Sequence, residues 1–199
     1  MAGSYSGDCV VALLNDGRRV KLAAPFSYTD PQNLNWPVPA DAIVDGASIP
    51  QALWSLMGGP FEGKYRAASV IHDWYCDVRT RPCKAVHRVF YDGMITSGVG
   101  QTQAKIMYYA VYKFGPQWSD TVISNTLLAN SLAGLLGSVS RPDLMGFAAG
   151  VRGLLPKVKL ADKPSVHHPE FDEADFQAAS AKIREGDLSL TELEALADD

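Results

Sequence analysis

Five prolines fall within residues 25 to 50. Proline at that density fixes φ and removes backbone donors, so this stretch can form extended strands and turns but no helix. The chain then changes period. Over residues 62–78, Tyr65, Ala68, Ser69, His72, Tyr75 and Cys76 recur at three- and four-residue spacing and share one helix face. Arg79-Thr80-Arg81-Pro82 interrupts, and residues 83–97 begin a second helix carrying Val86, Phe90 and Met94, with His87 and Tyr91 beside them. After Gly98-Val99-Gly100, a third helix over about 103–114 stops at Gly115-Pro116. Connections this short make the helices antiparallel neighbours. Upstream, Asn15-Asp16-Gly17 separates two apolar runs, at 9–14 and 18–24, which is a hairpin signal. The expected class is therefore α+β: a small N-terminal antiparallel β-sheet packed on an antiparallel helical hairpin or bundle, with a C-terminal helical extension.

Three regions follow from composition: a core domain over 1–120, a small-residue-rich helical extension over 121–155, and a linker and acidic tail over 156–199. The extension reads as one or two packed helices, or as a surface that docks on a partner or inserts into lipid, since glycine and alanine permit close approach. Residues 1–160 carry 15 basic and 11 acidic side chains, whereas the last 39 carry 3 and 11. The acidity belongs to the tail, and the mildly basic remainder lacks the patch or stripe that nucleic acid requires. Cys9, Cys76 and Cys83 are too few for a disulfide framework and favour a reducing compartment. The first residues have neither the charge nor the apolar run of a classical signal peptide, and no stretch reaches 18 apolar residues.

The chemistry concentrates at Ile71-His72-Asp73-Trp74-Tyr75-Cys76. Adjacent His72 and Asp73 point about 100° apart on a helix, so they address one ligand from two sides: His72 as proton acceptor for water, Asp73 as cation ligand. A buried, satisfied histidine beside an exposed aspartate would look the same. His72 and Cys76 are four apart, as are Cys83 and His87, giving His-x3-Cys-x6-Cys-x3-His across two helices. Two imidazoles and two thiolates make a tetrahedral zinc set, although two reduced core cysteines would satisfy the same pattern. Asp45-Gly46-Ala47-Ser48-Ile49-Pro50 forms a strand-to-helix corner that could aim the Asp45 carboxylate and Ser48 hydroxyl at the cleft. The Gly58-Gly59 loop could offer carbonyls to calcium. Arg66, Arg79, Arg81 and Arg88 lie near the cleft, either to attract an anionic group or as a solvated face.

Taken together, Val44-Asp45-Gly46-Ala47-Ser48-Ile49-Pro50, Trp54, Gly59-Pro60, Tyr65-Arg66-Ala67-Ala68, His72-Asp73-Trp74-Tyr75-Cys76, Arg81, Val86-His87-Arg88-Val89-Phe90-Tyr91 and Gly115-Pro116-Gln117-Trp118 resemble the phage and prophage family catalogued as domain of unknown function 1353. The resemblance covers roughly residues 8–120 and implies an origin in a phage or prophage genome, with no assigned activity. A looser likeness, over residues 72–91, is to the phospholipase A2 helix pair. It implies His72 as base and Asp73 as calcium ligand, with a partner carboxylate where His87 stands or from Asp92.

The residues thus point to a site with His72, Asp73, His87 and Tyr75 in catalytic positions, Asp45, Ser48 and Arg88 as substrate contacts, and Asp73, His72, His87 and Cys76 as metal ligands for zinc or calcium. One reading is a metal-dependent hydrolase acting on host-envelope ester or amide bonds. The other is a non-enzymatic virion or accessory protein that binds another phage protein through residues 121–199. Either places the chain in the host cytoplasm or the virion.

Overall fold

A computed structural model describes residues 3–46, 61, 63–119 and 164–198. The helix start expected at Ser48-Ile49-Pro50, the Gly58-Gly59 loop and the 121–155 extension lie outside these residues. The α+β expectation holds, with the N-terminal strands divided between two small sheets.

Strands β1 (Ser4–Tyr5), β4 (Phe26–Thr29) and β5 (Asn35–Val38) form one antiparallel sheet in the order β1-β4-β5. Strands β2 (Val11–Leu13), β3 (Val20–Leu22) and β6 (Ile43–Val44) form the second, in the order β2-β3-β6. The β2–β3 hairpin turns at the expected place. Gly17 takes φ +69°, a left-handed angle that favours glycine, and the Asp16 carboxylate accepts from the Arg18 and Arg19 amides. Its strands are shorter than the apolar runs suggested, because only residues 11–13 and 20–22 pair in register. In the other sheet the Asp30 carboxylate accepts from Gln32 N, Leu34 N and Trp36 Nε1, which ties the β4–β5 turn to a buried tryptophan. Prolines 25, 37 and 39 stand in or beside these strands, consistent with short pairings that leave some amide positions without a donor.

A short 3₁₀ turn, Gly63–Tyr65, leads into α1 (Arg66–Val78). Helix α1 ends at Arg79, whose φ of 52° and ψ of 39° are left-handed. That conformation costs a non-glycine residue about 1–2 kcal/mol. Its guanidinium offsets the cost by bonding the Cys76 and Pro164 carbonyls. Helix α2 (Cys83–Thr96) follows, then α3 (Gln101–Phe114), each within two residues of its expected bounds. Gly93 lets α1 and α2 approach: a Cβ there would stand 3.0 Å from the Ala68 Cβ and 2.8 Å from the Tyr5 hydroxyl. One apolar core joins the sheets to α1 and α2 through Leu22, Tyr28, Trp36, Ile71 and Val86.

The acidic segment read as a tail is folded. Strand β8 (Val166–His167), inside the expected linker, pairs antiparallel with β7 (Gln117–Trp118). Helices α4 (Glu173–Glu185) and α5 (Leu190–Asp198) then bury Phe176, Ala179, Ile183 and Leu193 in a second core with α3. Carboxylates of these helices and of their connection meet donors on α3: Lys105 with Asp187, Tyr108 with Glu194, Tyr109 with Asp175. Among the described residues, no helix is long and apolar enough to cross a membrane.

Candidate metal centre

Helices α1 and α2 run antiparallel across the tight turn at residues 79–82, so a residue near the end of one faces a residue near the start of the other. His72 Nε2 lies 2.9 Å from His87 Nδ1. Cys76, one turn on from His72, places Sγ 3.6 Å from the same His72 Nε2. Phe90 packs on the His72 ring, and Tyr112 and Trp118 flank the His87 ring.

The other side of the His87 ring decides the protonation pattern. His87 Nε2 is 3.2 Å from the Pro116 carbonyl, which can only accept, so Nε2 carries the proton and donates it there. In the neutral ring Nδ1 is then an acceptor and takes the His72 Nε2–H. Both rings are neutral at pH 7. Burial drives His72 well below 6.5, reinforced by repulsion from His87. Burial also lowers His87 to about 4, with the Pro116 bond opposing.

Two of the three donor separations here are close to those of a metal ligand set. A tetrahedral zinc ion with Zn–N of about 2.0 Å and Zn–S of about 2.3 Å separates a nitrogen from a sulfur by about 3.5 Å and two nitrogens by about 3.3 Å. The His72 Nε2 to Cys76 Sγ distance is already 3.6 Å. The two imidazole nitrogens, at 2.9 Å, need to part by only about 0.4 Å. Ligand atoms of His72, Cys76 and His87 all lie within 4.8 Å of one another. His87 is also oriented as ligating histidines are, with its outer N–H held by a backbone carbonyl.

The four-ligand pattern does not close, however. Cys83 sits behind the His87 ring, 3.3 Å from Nε2, and its thiol reaches the Pro116 carbonyl and the Gln117 amide oxygen. The i, i+4 spacing correctly put Cys83 beside His87, but on the outer face of the imidazole. Among the described residues the metal-capable group is His72, Cys76 and His87.

Other expected residues take different places. Asp73 stands outside that trio. Its Oδ2 accepts from the Asp45 amide at 2.8 Å and the Gly46 amide at 3.1 Å, pinning the corner after β6 to α1. The Tyr75 hydroxyl donates to the Pro37 carbonyl and its ring meets Trp36 edge-on, so it anchors α1 to β5 instead of facing the histidines. Arg88 points away along α2 to Asp92 and Tyr91. Asp92, the other candidate for the partner carboxylate, lies with Arg88, its carboxyl pushed up by burial. Ser48 falls outside the described residues.

Nor do the imidazoles face a wet hollow. His72 is 0% exposed and His87 1%, because the helix pair closes over them. Water reaches the neighbouring side chains. A groove of about 320 Å³ passes alongside, lined by Asp45, Asp73, Cys76, Asp77, Arg79 and Pro116 among others. Two of these, Cys76 and Pro116, touch the histidines directly. The sequence offered no signal for Pro116 as the acceptor that orients His87, since the two are 29 residues apart.

Residues 20–111 match the family described as "Protein of unknown function (DUF1353)". Uncharacterized protein y4jT of Sinorhizobium fredii is 51% identical over 108 residues, which are 54% of this chain and 32% of that protein. Uncharacterized protein y4iH of the same organism is 45% identical over 109 residues, 55% of this chain and 46% of its own length. The chain thus spans less than half the length of either curated relative. No solved structure matches. His72, Cys76 and His87 all lie inside the matched family segment, and residues 164–198 lie beyond it.

Proposed function

We propose that His72 Nε2, Cys76 Sγ and His87 Nδ1 hold a zinc-class ion whose fourth position faces the groove, and that the ion activates water to hydrolyse an ester or amide bond. The observation that carries this reading is the spacing of three borderline-soft donors on two helices, with the outer His87 N–H already bound to a carbonyl. Three protein ligands and one open position are the usual composition of a catalytic zinc site. Calcium does not suit this centre, because it takes six to eight oxygen ligands. Asp73, on the groove wall, holds the 45–46 corner beside the centre. If the chain is phage- or prophage-encoded, as the resemblance implies, the bond cleaved would belong to the host envelope.

Metal analysis of the purified chain tests the proposal. One zinc per chain is expected, with a melting temperature that falls on chelation and recovers with zinc. Cys76→Ser and His87→Ala should each lose the ion, because ligand binding and folding are linked. A chain that purifies metal-free and whose melt ignores added zinc overturns the proposal.

The full burial of both rings favours a second reading, in which the ion only staples α1 to α2 and the chain acts by binding another protein, through residues 121–163 or the outer faces of α4 and α5. Stoichiometric zinc without turnover of ester or amide substrates would select it.

A further inference from the structure

The groove beside the centre is not built by the matched family segment alone. One wall comes from the C-terminal arm, where Val166 and His168 line the same groove as Asp73, Cys76 and Pro116. Strand β8 sets this orientation. It pairs with β7 in the register Gln117↔His167 and Trp118↔Val166. His168 follows directly on this two-residue strand and lines the groove. His167 lines a different cavity, with Gln117, Trp118, Ser165 and Val166, so Val166 borders both hollows while the two histidines part between them. The Arg79 guanidinium, at the end of the helix that carries His72 and Cys76, bonds the Pro164 carbonyl and fixes the start of the arm over the groove. The arm is held further along by Phe176, Ile183 and Leu193 in the second core.

From this placement we infer that His168 is the proton-transfer imidazole of the groove, and that the arm completes the site. The inference rests on the hydrolytic reading above. His72 and His87 do not serve, since both rings are buried, His72 Nε2 and His87 Nδ1 are the atoms given to the ion, and His87 Nε2 is held by Pro116. His168 is the imidazole that both lines the groove and reaches solvent. In the step it performs, it takes a proton from the attacking water as the new C–O bond forms. It returns that proton to the leaving oxygen or nitrogen as the scissile bond breaks. Water supplies the added oxygen and no redox partner is needed. The other charged or titratable groups facing this imidazole across the groove are Arg19, Asp45, Asp73, Cys76, Asp77 and Arg79.

The full chain loaded with cobalt(II) provides a test that does not depend on turnover. Paramagnetic broadening and shifts of imidazole proton signals should be much stronger for His168 than for His167, which is next in sequence but lines the other cavity. His168→Gln should keep one zinc per chain and the wild-type melt, yet lower kcat for p-nitrophenyl acetate at least tenfold with little change in KM. His167→Gln should leave both unchanged. Equal paramagnetic effects on the two histidines, or a His168→Gln chain that hydrolyses the ester at the wild-type rate, overturn the assignment of His168. A chain that fails to take up cobalt or zinc at all instead overturns the reading on which it rests.

Discussion

His87 spends both ring nitrogens inside the fold, one on His72 and one on the Pro116 carbonyl, and its neutral form is what the fold accepts. The pH dependence follows in sign. In the unfolded chain this histidine binds its proton near 6.5, whereas in the fold it does so only near 4. Between those values the unfolded state holds more protons, so stability falls as pH drops from about 6.5 towards 4 and is flat above that window. The difference corresponds to roughly 3 kcal/mol for His87 alone. His72, shifted the same way, adds to the loss. Urea melts of the metal-free chain at pH 7, 5.5 and 4.5 should show this decline, and His87→Phe should make it shallower, leaving the part due to His72. A metal-free chain equally stable across that range would mean that these rings are not buried neutral in solution.

Helix α1 shows how much of an element can be read from local chemistry. Its end at 78 follows from the Arg79-to-Pro82 interruption, whereas its start falls at Arg66 instead of the expected 62, after a 3₁₀ turn over Gly63–Tyr65. What it touches could not be read that way. Asp73 looked like a cation ligand because it adjoins a histidine, yet its Oδ2 accepts from two backbone amides 27 and 28 residues upstream. A part-buried and a buried N–H group share that one carboxylate oxygen. Asp73→Ala should therefore destabilise the chain by about 1–3 kcal/mol, and Asp73→Asn by less, because an amide oxygen can still accept. Chemical denaturation measures both. If Asp73→Ala abolished metal binding while leaving stability intact, Asp73 would be a ligand after all.

In the whole molecule, the C-terminal arm changes its meaning from tail to structural wall. Its charge pattern suggested an acidic tail, but its few apolar residues recur at helical spacing and meet α3, whose tyrosines and lysine donate to its carboxylates. Phe176 is 1% exposed, so Phe176→Ala should cost about 3–5 kcal/mol and free the arm to proteases. Limited proteolysis that removes the arm equally fast from both chains would refute the docking. The sequence by itself determined the α+β class, the three central helices with their stops, and the pairing of histidine with cysteine one turn apart, because proline, glycine and helical periodicity act within a few residues. Only the tertiary structure decided which face of His87 meets His72, that Cys83 falls behind that ring, that Asp73 holds a backbone corner, and that residue 168 arrives at the groove. Those outcomes depend on contacts between residues far apart in the chain, which no local spacing encodes.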